Sequence, residues 1–176
     1  MPSDVPGSTA IVVLTPEAEP LIGELYRLHS NAGGDGMTPH IMLLVPFVPT
    51  PQLDARIDAR LRGVFRSHEP FDYALARVDR FGSEILYLAP DPSRPFIELI
   101  DALSQEFPDY PPYEGIHDDV VPHTTVADSA DEALLSRITA DLETQLPVAC
   151  RAEVATIVQR GADLRWRPRV SFPLGG

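Results

Sequence analysis

The sequence predicts an α+β fold, and three observations carry that prediction. Apolar and β-branched runs alternate with amphipathic stretches in the order β α β α β β α β α β β, which departs from the strict strand–helix interleaving of a doubly wound parallel sheet. The chain has 176 residues, 44% of them hydrophobic and 23% charged, which is enough to bury a core without disulfides or a structural metal. Two segments half a chain apart also repeat one pattern, TPHIML at 38–43 and VPHTTV at 121–126. The length fits one domain, or two small lobes sharing a core.

Each element has a local reason. Thr9–Leu14 (TAIVVL) is a β-branched run bounded by Pro6–Gly7 and Pro16, hence a strand. Thr15 can cap a helix with Pro16 at its first position and Glu17 and Glu19 in the first turn, and Leu21, Ile22, Leu25 and Leu28 follow at helical spacing. Residues 30–37 (SNAGGDGM) are too rich in Gly and Asn for anything but a loop, and they lack the strand–turn–helix setting of a dinucleotide fingerprint. Residues 40–48 (HIMLLVPFV) read as a central strand. A second helix covers 51–66, with Leu53, Ile57, Leu61, Val64 and Phe65 inward. Residues 71–81 and 85–89 form a strand pair turning at Gly82–Ser83. A third helix covers 94–107, and 108–115 (PDYPPYEG) is a stiff Pro- and Tyr-rich loop. Residues 122–127 (PHTTVA) are a short strand, and a fourth helix starts at Ser129 or Asp131. Residues 148–158 and 164–172 close the chain as two long strands with a turn at Gly161–Ala162.

Charge and cysteine content narrow the function. The net charge is −12 and all 14 basic residues are Arg. Such a surface repels long polyanions, so extended nucleic acid is disfavoured as a partner, whereas a small phosphate in an Arg-lined pocket is compatible. Arg77, Arg80, Arg165, Arg167 and Arg169 lie on strands and read mainly as surface charges. The single Cys150 excludes an internal disulfide and a Cys-based zinc site, and it reads as a small buried apolar residue. No apolar run is long enough to span a membrane, and residues 1–10 lack the basic start and apolar core of a secretory signal. A cytoplasmic protein is expected.

The repeated pattern carries the chemistry. Proline forces its predecessor towards extended geometry, so His40 and His123 each begin a strand. Residues i and i+2 of a strand share a face. His123 is therefore paired with Thr125, and His40 with Met42. An imidazole beside a hydroxyl suits an oxyanion, since the ring can move a proton and the hydroxyl can donate a hydrogen bond. A thioether cannot donate.

Two P-H-x-T-like strands in a chain of this length resemble the two-histidine (2H) phosphoesterases, which include the bacterial 2′-5′ RNA ligase-like proteins and cyclic phosphodiesterases of RNA ends. The resemblance covers nearly the whole chain. It implies a single bilobal domain over residues 1–176, with a pseudo-twofold relation, two mixed or antiparallel sheets flanking a central groove, and helices outside. It implies metal-free, cofactor-free opening of a small 2′,3′-cyclic phosphate or related phosphodiester, with His40 and His123 as an acid–base pair and Thr125 holding the phosphate. Histidine suits both roles because its unperturbed pKa of about 6.5 lies near working pH. The sequence leaves open which ring is acid and which is base, and the oligomeric state.

Met42 departs from the pattern, since the family expects Thr or Ser there. Losing one oxyanion donor costs about 10²–10³ in rate. Thr38, at i−2 from His40, or an Arg could substitute. The departure also admits the same fold turned to non-phosphate chemistry on a small biosynthetic intermediate, or a non-catalytic small-ligand binding protein. Tyr113, with Tyr110, could face the substrate from the 108–115 loop. Trp166 reads as core or rim packing, His29 as a helix-end charge, His68 as a surface turn residue, and His117–Asp118–Asp119 as an acidic loop.

Overall fold

The computed structural model describes residues 5–176, so the segment weighed as a secretory signal begins in residues 1–4, outside the described residues. Eight strands form two four-stranded sheets, ordered β2-β1-β7-β8 and β5-β4-β3-β6. They are β1 (Thr9–Leu14), β2 (His40–Leu44), β3 (Phe71–Phe81), β4 (Ile85–Asp91), β5 (Thr124–Asp128), β6 (Val148–Ala152), β7 (Val154–Arg160) and β8 (Trp166–Pro173). Every pairing is antiparallel. The helices are α1 (Glu19–His29), the single turn α2 (Asn31–Gly34), α3 (Ala55–Arg66), α4 (Arg94–Glu106) and α5 (Glu132–Glu143).

The two halves mirror one another. In each, an inner strand leads through a helix to an edge strand that carries or follows a Pro-His pair: β1–α1–β2 and β4–α4–β5. The helices are exchanged. α1 packs against β5 and α4 against β2, so each half's helix braces the other half's histidine strand. This is the pseudo-twofold α+β architecture that the repeat implies.

The unbroken apolar run of β1 follows from burial on both faces. Ile11 and Val13 enter the main core with Ile41, Leu43, Leu75, Leu86 and Leu88, which draws on both sheets. Ala10 and Val12 face the other way, into a second cluster with Tyr26, Met37, Val158 and Trp166. Each fully buried Leu or Ile contributes about 1.5–3 kcal/mol, so this shared core holds the two sheets in fixed relation. The Asp54 carboxylate caps α3 by accepting from the backbone N–H of Arg56 and Ile57, and that of Asp131 caps α5 by accepting from Leu134, whereas Thr15 caps no helix: its buried hydroxyl has no partner and α1 begins at Glu19 after a 3-10 turn.

Several boundaries differ from the sequence reading. The run 148–158 is two strands, broken at Glu153, because the chain crosses there from one sheet to the other: β6 pairs with β3, and β7 with β1 and β8. Cys150 therefore lies on β6, 6% exposed, as a buried apolar residue. The strand from His40 stops at Leu44, before Pro46 with its missing N–H. The 30–37 loop contains α2, and the helix read from residue 51 begins at Ala55 after a 3-10 turn. The last strand begins at Trp166 because Leu164, at φ 61°, belongs to the preceding turn.

Candidate active site

His40 opens β2 and His123 immediately precedes β5, one on the edge strand of each sheet. Both line one cavity of about 400 Å³, together with Met42, Thr125 and Tyr113. The strand parity predicted for these residues holds. His40 and Met42 are half-buried while Ile41 and Leu43 are buried, and His123 and Thr125 are half-buried while Thr124 and Val126 are buried. Cross-strand neighbours fix the register: Leu14 lies opposite His40, Val12 opposite Met42 and Tyr87 opposite Thr125.

The two rings are held by the same device. His40 Nδ1 lies 2.8 Å from the Thr38 carbonyl oxygen and His123 Nδ1 2.7 Å from that of Val121. A carbonyl only accepts, so each Nδ1 carries a proton and each Nε2 is the atom left for proton transfer. Burial lowers the pKa of His40 to about 4, opposed by the Thr38 hydrogen bond and reinforced by the charge of His123. Burial also lowers the pKa of His123, against the Val121 hydrogen bond. His123 is packed edge-on to Phe81 at 4.8 Å and tilted against Tyr87 at 5.3 Å, and His40 edge-on to Tyr26 at 6.0 Å.

The cavity wall mixes polar and apolar groups. Thr125 sits on the His123 side. Met42 packs against the second apolar cluster, whose Tyr26, Met37, Val158 and Trp166 also line the cavity. In the same wall, the buried Arg160 guanidinium donates to Asp35 Oδ2 and to the Leu164 carbonyl oxygen, and it faces the Trp166 ring. The Trp166 backbone N–H donates to the Asp35 carbonyl at 2.8 Å, which ties the 30–37 loop to β8. Tyr113 reaches the cavity from a backbone of left-handed conformation, φ 50°, followed by Glu114 at φ 57°. Its amide donates to the Val45 carbonyl, and burial pushes its phenol up to about 12.

Sequence reasoning missed Arg160, Asp35 and Tyr26, and it read Trp166 as packing without placing it at the cavity. The five strand arginines singled out do not line the cavity. Arg80 pairs with Glu132, Arg167 with Asp163, and Arg169 donates to Gln159, while Arg77 lines a different groove. Arg165 is exposed. Thr38 serves through its carbonyl, because β2 begins only at His40 and Thr38 is exposed outside it. His117, Asp118 and Asp119 are exposed, and among the described residues no group of three or more His, Cys, Asp or Glu side chains is placed to hold a metal ion. No helix among the described residues is long and apolar enough to cross a membrane.

Solved structures share this fold. Escherichia coli LigT complexed with 3′-AMP superposes with a TM-score of 0.60 at 17% identity, covering 97% of this chain and 99% of that one. The same protein complexed with NADP+ gives 0.59 at 17% identity, covering 96% and 98%. TT0787 of Thermus thermophilus gives 0.63 at 16% identity, covering 96% and 98%. No curated protein sequence matches the chain. The sequence profile of the 2′-5′ RNA ligase superfamily matches residues 14–164, from the end of β1 to the turn before β8. With most of its length inside that profile and the paired Pro-His strands at one cavity, the chain belongs to the 2′-5′ RNA ligase superfamily.

Proposed function

We propose that this protein is a 2H-type phosphoesterase that opens a small 2′,3′-cyclic phosphate, or a related phosphodiester, with His40 and His123 as its acid–base pair. The observation that carries the reading is the matched tautomer, two imidazoles presenting Nε2 at one cavity. His40, the ring whose charged form is the more burdened, by burial and by its partner's charge, acts as base. Its Nε2 takes a proton from water as the water oxygen attacks phosphorus. The bond from phosphorus to the 3′ oxygen breaks, and His123 Nε2–H protonates that leaving oxygen, giving a 2′-phosphate. The Thr125 hydroxyl donates to a non-bridging oxygen as charge builds there.

The cavity volume suits a ligand of nucleotide size. The solved relatives with 3′-AMP and NADP+ support a small nucleotide-like substrate. The shared apolar core supports treating the chain as one bilobal domain, and a cytoplasmic location belongs to the same reading. Turnover of 2′,3′-cyclic AMP, followed by phosphorus NMR, tests the assignment. The 2′-monophosphate is expected, with loss of turnover in both His40→Ala and His123→Ala. Turnover unchanged in both variants overturns it.

Met42 and the apolar wall beside it favour a second reading, in which the paired rings act on a small molecule without a phosphate. That reading expects neither turnover nor thermal stabilisation with cyclic nucleotides. Tight binding of a 2′-phosphate counts against it.

A further inference from the structure

The two halves of the site differ in one donor. Beside His123 stands the Thr125 hydroxyl, whereas beside His40 stands the Met42 thioether. Thr38 does not fill the gap, since its carbonyl is engaged by His40 and its side chain is not in the cavity wall. Resting on the function proposed above, we propose that the Tyr26 hydroxyl is the hydrogen-bond donor to the anion on the His40 side, replacing the hydroxyl that Met42 lacks.

Position supports the assignment first. Tyr26 lines the cavity, its ring meets His40 edge-on, and Met42 packs against the cluster to which it belongs. It lies on α1, the helix packed against β5, so it is anchored to the strand that carries Thr125 as well as standing beside His40. A phosphoryl group between the two rings would have Thr125 on one side and the phenol on the other.

Rigidity supports it second. Tyr26 is 2% exposed, and α2 closes over it through Gly33. A Cβ at Gly33 would stand 2.2 Å from the Tyr26 carbonyl oxygen and 2.9 Å from its Cδ1, so only glycine permits this approach. The ring is thus clamped between Gly33 and His40, as preorganised oxyanion stabilisation requires.

Chemistry supports it third. Burial pushes the phenol up to about 12, so it keeps its proton wherever a histidine pair works. Its side chain is hydrogen-bonded to that of Ser30, which lines the same cavity. Arg160, the cationic side chain of the cavity wall, is held by Asp35 and the Leu164 carbonyl.

A double-mutant cycle between Tyr26→Phe and Met42→Thr tests the proposal, with kcat/KM for 2′,3′-cyclic AMP and Kd for 2′-AMP as readouts. Tyr26→Phe keeps the ring and is expected to lower kcat/KM by about 10²–10³ and to weaken 2′-AMP binding, in line with the loss of one donor. Met42→Thr should restore most of that loss, with a gain at least about tenfold larger in the Tyr26→Phe background than in the parent, because the two hydroxyls serve one oxygen. A Tyr26→Phe protein within about twofold of the parent in both readouts, while His123→Ala is inactive, overturns the proposal and leaves the function standing. Retained turnover in both histidine variants removes the function itself. If the parent shows no turnover, an unchanged Kd for 2′-AMP in Tyr26→Phe overturns the proposal.

Discussion

His40 and His123 hold the same tautomer through the same contact, each donating Nδ1–H to the carbonyl two residues before it. In the proposed reaction proton transfer is therefore confined to the two Nε2 atoms, and its pH dependence follows from their pKa values. The base must be neutral, so the acidic limb follows His40, near 4. The acid must be protonated, so the alkaline limb follows His123, below 6.5. The kcat/KM profile for a cyclic phosphodiester is expected to be bell-shaped with its maximum between about pH 4 and 6.5. A maximum above about pH 7 would show that burial does not hold the two rings below the ordinary histidine pKa.

The same burial links the site to stability. Above about pH 6.5 His40 is neutral folded and unfolded, and contributes nothing. Between 6.5 and about 4 the unfolded chain binds the proton and the folded chain does not, so folding weakens as pH falls through this window. Below about 4 both forms are protonated and the penalty is constant. His40→Gln, which does not titrate, should show a shallower fall of Tm from about pH 6.5 to about 4.5 than the parent. Parallel curves would show that the His40 ring carries no such penalty.

Thr125 is the hydroxyl on the His123 side, and its half-burial at the cavity reflects the parity of β5. Thr125→Val preserves the β-branched shape on that strand and removes only the donor. Activity on a cyclic phosphodiester is expected to drop by about 10²–10³ with Tm nearly unchanged. Thr124→Val, one residue earlier, points into the core with its hydroxyl unpartnered, and should leave activity intact while holding or raising Tm. Equal effects of the two changes would show that strand parity does not select the working hydroxyl.

The histidine pair and its i+2 neighbours were legible because proline and strand parity are local rules, and local rules place His40, Met42, His123 and Thr125 without knowledge of the fold. Tyr26 and Arg160 were not legible for the opposite reason. Tyr26 lies off the Leu21, Ile22, Leu25, Leu28 spacing that reads as the helix's apolar stripe, and only its packing with Val12, Met37, Val158 and Trp166 places it at the cavity. Arg160 ends a strand and resembles any solvated charge until the 30–37 loop supplies Asp35 from the far end of the sequence. The break at Glu153 was hidden because Val148, Cys150, Ala152, Val154 and Val158 keep one apolar parity running across it, and nothing in that pattern records a change of sheet.

The Asp35–Arg160 pair provides the last test, since it joins the loop closing the cavity to β7. The Arg160 side chain is 9% exposed and that of Asp35 41%, so removing the carboxylate takes a partner from a buried charge while water still reaches the gap. Asp35→Ala is expected to cost about 1–2 kcal/mol, less than a fully enclosed pair because of that access and because Arg160 keeps other contacts, the Leu164 carbonyl among them. For a chain of this length, that corresponds to a Tm lower by about 2–8 °C. The loosened loop carries Ser30 and Met37 of the cavity wall, so KM for the ligand should rise more than kcat falls. Asp163→Ala, which breaks the exposed pair with Arg167 on the same sheet, should leave both Tm and KM at the parent values. Matching losses in the two variants would mean that charge pairing in general, rather than closure of the cavity by Arg160, sets the stability of this face.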